Sequence, residues 1–319
     1  MIPRDPRELL DAAQGGSRVA LARLLSYVEA AGSRHREVAA LVYQSHPPYV
    51  VGITGPPGSG KSTLTDRLIA TSWNVAQRGG PLGQIAVLCV DPSSPLTGGA
   101  ILGDRIRMQD HATNDNVFIR SMATRGHLGG LSLAVPDALR VLGAAGFELV
   151  LVETVGVGQM EVEIASAADT TVVVTNPGWG DSMQASKAGL LEVADLFVIN
   201  KADRSGVRET HRDLEQMLDL GADRAWRPPI LETVASLDTG TNAVWVAVND
   251  HRRFLESTGE LARRRAVRAR VFLNRVLTAR LRERVDSVAE GQQFESAVAS
   301  ILAESIDPYR AADELLGEM

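Results

Sequence analysis

The sequence lacks most of the residues from which a disulfide framework or a transition-metal site is built. It contains one cysteine, Cys89, and no C-x-x-C or H-x-x-x-H pattern. No run approaches the roughly 18 apolar residues of a membrane helix, and the first residues lack the apolar core of a secretory signal. We therefore expect a protein of the reducing cytoplasm, with no disulfide, no dedicated transition-metal site and no membrane partner.

The sequence also has no excess of basic residues, as its formal net charge of −6 shows. This charge argues against nucleic acid as the main partner. The C-terminal part is rich in arginine and could present an RNA-binding face, but a solvated or subunit-facing helix side is the interpretation we favour. The 319 residues, of which 45% are hydrophobic, suit one large domain with additions or two small domains.

Hydrophobic patterning divides the chain into three regions. Residues 1–48 carry apolar positions at helical spacing and end at the prolines of SHPPY, which predicts a helical N-terminal arm. From 49 to 240, short continuous apolar runs alternate with helical stretches, the pattern of a doubly wound α/β domain with a mostly parallel sheet. Residues 241–319 form a helical C-terminal extension, for which we expect a role in dimerisation. Ligands of such a sheet lie beyond the carboxyl ends of its strands.

The stretch VGITGPPGSGKSTLTDRL, residues 51–68, contains the spacing G-x-x-x-x-G-K-S. An apolar, β-branched run precedes it and a helical segment follows, which is the context of a phosphate-binding P-loop. The glycines let backbone N–H groups curl around phosphates, the lysine reaches the outer phosphates and the serine hydroxyl can bind Mg²⁺. The predicted nucleotide-binding residues here are Gly55, Pro56, Pro57, Gly58, Ser59, Gly60, Lys61, Ser62 and Thr63.

The tetrapeptide NKAD, residues 200–203, follows the apolar run DLFVI and predicts the base that is bound. The carboxylate of Asp203 is an acceptor, and guanine offers it two donors where adenine offers none. GTP is therefore favoured over ATP. Lys201 can lay its stem on the base, and Asn200 can tie this loop to the P-loop. Ser236 completes the predicted nucleotide-binding set.

Glu153 ends the apolar run LVLVET and is followed by Gly156 and Gln159. A strand-end acid followed by x-x-G is the place where a GTPase senses the γ-phosphate of its nucleotide. Most GTPases have aspartate there. The longer arm of glutamate predicts a contact to Mg²⁺ through water.

The segment CVDPSSPLTGGAILGDRIRM lies between these motifs and is long enough to be functional. Asp91 ends the second predicted strand. Asp104, in a glycine-flanked loop, is our candidate for a second protein contact to Mg²⁺ beside Ser62, so that the predicted metal contacts are Ser62, Asp104 and Glu153.

The motifs GPPGSGKST, VDPSSP, GDRIRM, VETVGVGQ, GDSMQASKAG and NKAD occur in this order. Together they make the chain resemble, over essentially its whole length, the MeaB/ArgK-type P-loop GTPases that accompany methylmalonyl-CoA mutase. The resemblance implies a Mg²⁺-dependent homodimeric chaperone, in which GTP hydrolysis to GDP gates loading of adenosylcobalamin into the mutase and protects it. Some relatives carry an older label as ATPases or kinases of lysine/arginine/ornithine transport, and this alternative stays open.

Two further functions compete with that of a GTPase chaperone. A nickel-type metallochaperone on the same fold would need a Cys/His cluster near the site, which is missing from the sequence. A nucleotide-regulated scaffold with negligible turnover also stays open, since hydrolysis rates depend on geometry.

The resemblance also implies roles for individual residues. Lys61, Asp91, Asp104 and Glu153 match the magnesium and hydrolysis positions of the family and are candidate catalytic residues. A mobile switch that reports the nucleotide state to the mutase is matched by Asp181, Gln184 and Lys187, beside the γ-phosphate sensor at Gly156 and Gln159.

The switch segment departs from the family pattern at two positions, Trp179 and Ser182, where a small residue and an acid are expected. Asp181 and Gln184 also fit a helix capping box, so a purely structural role for Asp181 stays open.

Overall fold

The computed structural model describes residues 4–30, 32–77, 84–91, 114, 116–123, 134–154, 163–178, 189–190, 192–221, 225–289 and 291–317. The described strands are β1 Tyr49–Thr54, β2 Ile85–Asp91, β3 Val117–Ala123, β4 Leu149–Thr154, β5 Thr170–Thr175, β6 Leu196–Asn200 and β7 Ile230–Thr233. The described helices are α1 Pro6–Gln14, α2 Arg18–Ala30, α3 Ser33–Val42, α4 Lys61–Gln77, α5 Ala134–Ala144, α6 Val207–Leu220, α7 Thr241–Ser257, α8 Glu260–Ala289, α9 Gln292–Leu302 and α10 Pro308–Gly317.

The seven described strands form one parallel sheet in the order β3-β2-β4-β1-β5-β6-β7. Every residue of β1, β4, β5 and β6 is buried. A parallel strand covered on both faces has no solvent-facing positions, which is why these segments are apolar throughout. The predicted doubly wound α/β fold with a mostly parallel sheet is confirmed.

Helices cover both faces of the sheet. Side chains of α1, α2, α3 and α5, among them Leu24 and Leu142, pack on one face. Side chains of α4 and α7, among them Leu64 and Trp245, pack on the other, where Cys89 of β2 is also buried. The helices before residue 48 therefore contribute to the central core.

Backbone contacts divide the chain into two compact units, Met1–Arg265 and Ala266–Met319. Helix α7, which the sequence analysis assigned to the C-terminal extension, lies in the first unit. The three-part division at residues 48 and 240 stays a prediction about how these segments function. No helix in the described part of the chain combines the length and apolar character that crossing a bilayer requires.

Two buried aspartates immediately precede β5 and β6 at the amino end of the sheet. Asp169 accepts hydrogen bonds from Arg265 Nε and Nη2 at 3.2 and 2.8 Å. Asp195 accepts two from the guanidinium of Arg264, at 3.0 and 3.1 Å. Two-point arginine–carboxylate contacts are geometrically specific, so these pairs hold the first turns of α8 against the strands.

His251 of α7 is fully buried beside these pairs. Its Nδ1 lies 2.8 Å from Thr170 Oγ1, and its Nε2 lies 3.3 Å from Asp195 Oδ1. Burial lowers the pKa of His251 to about 4, although the nearby Asp195 carboxylate acts in the opposite direction. His251 is therefore neutral in the folded protein at pH 7.

Acid is expected to destabilise the protein through His251. Above pH 6.5 the side chain is neutral in the folded and unfolded states alike, and this contribution to stability is complete. As the pH falls from 6.5 towards 4, the unfolded chain takes up a proton that the folded chain does not, so stability falls. The loss at pH 5 is about 2 kcal/mol. Urea unfolding of the wild type and His251→Gln at pH 7 and pH 5 measures it.

The matched control is His46→Gln, which removes an exposed histidine. This control should keep the pH dependence of the wild type, whereas His251→Gln should show a difference between the two pH values that is about 2 kcal/mol smaller. Equal pH dependence in all three proteins would contradict the buried, neutral state of His251.

Candidate active site

The carboxyl ends of β1, β4 and β6 bring the predicted motifs to one edge of the sheet. The P-loop follows β1, Glu153 lies in the last residues of β4 and Asn200 ends β6. β1 pairs with β4, and β5 lies between β1 and β6. Parallel strands place their carboxyl ends together, so three segments that are distant in sequence become neighbours.

The P-loop glycines are required by the backbone they form. Gly55, Gly58 and Gly60 have φ values of 135°, 75° and 93°, in the region that side chains other than glycine rarely adopt. A Cβ atom on Gly55 would lie 2.0 Å from the carbonyl oxygen of Val174, and one on Gly60 would lie 2.2 Å from Asn200 Nδ2. Larger residues would therefore break both the loop and its contact with β6.

Lys61 is buried at the start of α4. Its Nζ donates hydrogen bonds to the carbonyl oxygens of Gly55 at 2.8 Å and Pro56 at 2.9 Å. The ammonium group thus lies inside the loop, and the positive end of the α4 dipole points to the same place. Both features favour an anion such as a phosphate group here.

The side chains of Ser62 and Glu153 contact each other. Ser62 Oγ donates a hydrogen bond to Glu153 Oε1 at 2.6 Å, and both residues are buried. Hydroxyl and carboxylate oxygens are the hard donors that Mg²⁺ prefers, so this pair fits the predicted metal. Within the described residues no group of three or more His, Cys, Asp or Glu could hold a metal ion. Asp104, the third predicted contact, lies outside those residues.

Asn200 joins three segments of the site. Its Nδ2 donates to the carbonyl oxygen of Ser59 in the P-loop at 2.9 Å. Its Oδ1 accepts from Thr233 Oγ1 and from the backbone N–H of Ala235, both at 3.1 Å. The contact between this loop and the P-loop was expected. The contacts to Thr233, the last residue of β7, and to Ala235 were not expected.

Lys201 also contacts the P-loop, because its Nζ donates to the carbonyl oxygen of Gly58 at 2.5 Å. Its φ of 59° is unusual for a residue other than glycine. Asp203 is exposed two residues further on. Ser236 lies in the short 3₁₀ turn Ala235–Leu237, next to the backbone that Asn200 holds.

The other predicted site residues cannot be placed by side-chain geometry. Asp91 ends β2, but its side chain is not among those described. The remaining positions lie outside the described residues, and their roles stay predictions: Asp104, Gly156, Gln159, Trp179, Asp181, Ser182, Gln184 and Lys187.

Asn200→Ala is expected to weaken GTP and GDP binding equally, by about tenfold or more, with kcat at saturation retained. The substitution removes three hydrogen bonds and leaves buried groups of Ser59, Thr233 and Ala235 without their partner, which costs about 1–3 kcal/mol per group. Nucleotide titration and saturation kinetics measure the effect. Thr233→Val is the control: it removes one of the three bonds and should lose less affinity. Wild-type affinity in Asn200→Ala would contradict this role.

Comparison with known proteins agrees with this geometry. A profile of the family described as methylmalonyl-CoA mutase-associated GTPase MeaB matches residues 21–290. A provisionally named GTPase of Pyrococcus abyssi is 46% identical over 317 residues, which cover 98% of this chain and 96% of that protein. The methylmalonic aciduria type A homolog of Mus musculus, a mitochondrial protein, is 31% identical over 94% of this chain and 76% of its own.

A solved structure shares the fold. The crystal structure of a LAO/AO transport system kinase superposes with a TM-score of 0.70, covering 99% of this chain and 98% of its own. Its sequence identity is 24%, so the likeness is one of fold alone. The word kinase in its name therefore adds no support to the alternative function that the sequence left open.

Proposed function

Because the chain belongs to the MeaB family of methylmalonyl-CoA mutase-associated GTPases, we propose that it is a GTP-driven chaperone of an adenosylcobalamin-dependent methylmalonyl-CoA mutase. The chain is a GTPase of the MeaB/ArgK type. The observation that carries the proposal is the family match over residues 21–290. It agrees with the hydrogen bond by which Asn200 ties residues 200–203, which we call the guanine loop, to the P-loop. In this proposal the cycle of GTP binding and hydrolysis gates cofactor loading and protects the mutase. The protein acts in the cytoplasm.

The described residues support particular roles in GTP hydrolysis. Lys61 already lies inside the P-loop, where it would neutralise charge on the outer phosphates. Ser62 and Glu153 would hold Mg²⁺, directly or through water, which when bound stabilises charge that develops on the phosphates. Fixed charges of this kind need no rearrangement during the reaction and are the main source of rate enhancement in such sites.

The proposal includes coupling of the nucleotide state to the mutase. The family description names the mutase, and the name of the mouse relative refers to methylmalonic aciduria. Asp181, Gln184 and Lys187 are proposed to report the nucleotide state to the client, because the γ-phosphate can bias a loop between two arrangements.

Co-purification tests the mutase assignment. The tagged full-length chain is mixed with a cobalamin-dependent methylmalonyl-CoA mutase in the presence of GDP or of a non-hydrolysable GTP analogue. We expect the mutase to be retained, to a different extent with each nucleotide. Absence of the mutase from both eluates would reject the client, while leaving GTPase activity as a separate measurement.

We also propose that the protein is a homodimer formed through α8. No residue of this thirty-residue helix is buried. Its exposed apolar side chains include Leu273 at 59% and Leu277 at 53% exposure, with Leu281 one turn further. A contiguous apolar surface of this kind is typical of an interface. The sequence places Leu261 in the same series of apolar positions, but this side chain packs against the core of the first unit.

Leu273→Glu combined with Leu277→Glu is expected to convert the dimer into a monomer, because each chain would bury two charges at the interface. Light scattering at micromolar concentration measures the mass. Leu220→Glu, which changes an apolar side chain exposed elsewhere, on α6, is the control and should leave the dimer intact. A monomeric wild type, or a dimer that persists in the double variant, would overturn the interface.

A further inference from the structure

A groove of about 610 Å³ runs along the first half of α6, beside the guanine loop. It begins at Ala202 of the NKAD tetrapeptide and is lined by three arginines, Arg204, Arg208 and Arg212. Neither the P-loop chemistry nor the proposed dimer uses this surface.

The three arginines form one positive strip. They are spaced four residues apart, and Arg208 and Arg212 lie one helical turn from each other on the same face of α6. All three are exposed, and none of them makes an ion pair with a described residue. Like charges at this spacing repel and destabilise a helix, which favours a surface that is completed by a bound anionic group.

Acidic residues limit how far the strip extends. Glu209 and Glu232 also line the groove, and Glu232 Oε1 lies 3.3 Å from His211 Nδ1. A second cavity further along α6 is lined by Arg208 and Arg212 together with Glu215 and Asp219, so acidic residues border the strip on that side. The strip therefore offers two guanidinium groups one turn apart on α6 and a third, that of Arg204, in the turn before the helix, on a protein whose net charge is −6.

We propose that this strip, Arg204, Arg208 and Arg212, is a docking site for an extended acidic segment of a partner protein. Arg208 and Arg212, one turn apart on α6, are about 6 Å apart along its axis. Every second residue of an extended chain is about 6.6 Å apart. Acidic side chains at alternate positions therefore match the arginine spacing, and arginine binds carboxylates at short range with two parallel hydrogen bonds.

The lining favours a peptide over a nucleic acid. Sequence-tolerant binding of single strands depends on aromatic side chains on which the bases stack. None of the described residues that line the groove is aromatic. The open volume of about 610 Å³ is also far larger than a single phosphate ion.

Fluorescence anisotropy on the full-length, GDP-loaded protein tests this site. The probe is a labelled peptide of four Glu-Ser repeats, with four Gln-Ser repeats as the uncharged counterpart. We expect the acidic peptide alone to bind, with affinity that falls as salt is raised. Arg208→Glu with Arg212→Glu should weaken binding at least tenfold and leave GTP turnover unchanged.

Arg7→Glu with Arg36→Glu is the matched control, because it makes the same charge change at two exposed arginines on α1 and α3. This control should change peptide affinity less than twofold. Equal weakening in both double variants would show general charge attraction and overturn the site, as would failure of the peptide to bind. Tighter binding of a labelled eight-residue oligothymidylate at the same arginines would replace the proposal with a nucleic-acid site. The mutase is absent from this assay, so its outcome is independent of the proposed client.

Discussion

Lys61→Ala is expected to lower GTP turnover by roughly 10²–10³-fold, the loss that follows removal of one preorganised group that stabilises transition-state charge. Lys61 Nζ lies within 2.9 Å of the carbonyl oxygens of Gly55 and Pro56, so the charge is held where the outer phosphates bind. Alanine also fits the first turn of α4 well. Single-turnover hydrolysis and a thermal melt of the same preparation measure both effects, and the variant should remain folded.

Lys201→Ala is the matched control, since it removes the other lysine that contacts the P-loop. Lys201 contacts Gly58 from the guanine loop, so its loss should weaken nucleotide affinity while kcat at saturation stays close to that of the wild type. Turnover in Lys61→Ala within a few-fold of the wild type would remove this lysine from the phosphate chemistry. An equal fall of kcat in both variants would mean that the two lysines act only by holding the loop.

Asp203→Asn is expected to change the base that the protein binds. In the proposed guanine site the carboxylate of Asp203 would accept from the N1–H and 2-amino groups of the base, and an amide at this position would present its own donors to those groups. An unmatched polar contact of this kind can cost 10²-fold or more in affinity. Xanthosine triphosphate carries an oxygen in place of the 2-amino group and should bind the variant more tightly than GTP does. Competition titrations with both nucleotides measure the exchange.

Asp203 is exposed, so its carboxylate is accessible to the base and its replacement leaves the core unchanged. A change in affinity can therefore be assigned to base recognition. Asp213→Asn on α6 is the control for the loss of one negative charge and should keep the preference for GTP. Unchanged GTP affinity in Asp203→Asn, with no gain for the xanthine nucleotide, would remove Asp203 from the guanine site.

Much of the fold follows from local sequence patterns. The strands are continuous apolar runs because each is covered on both faces, and the helices between them carry the other periodicity. The P-loop is equally local, because its glycines are demanded by the φ values of residues only a few positions apart. The same holds for NKAD, whose chemistry resides in four consecutive residues at the end of β6. Family membership follows from the order of these motifs.

Other features of the site could not be read from any single stretch. Asn200 bonds to Thr233 and Ala235 because the register of β6 and β7 pairs Asn200 with Thr233. Sequence reasoning placed Ser236 in the site, but not the two residues that hold its loop. Ser62 and Glu153 share a hydrogen bond across 91 residues because β1 and β4 are neighbours in the sheet.

The sequence by itself determined the class of fold, the phosphate loop, the guanine preference and the family, because each depends on residue types within a short window. Only the tertiary structure decided that the N-terminal helices complete the central core, that Arg264 and Arg265 hold the first turns of α8 against buried aspartates, and that three arginines line an open groove beside the guanine loop. These outcomes depend on which strands are neighbours and which helix faces are left uncovered. Packing of the whole chain determines both, through contacts between residues tens to hundreds of positions apart.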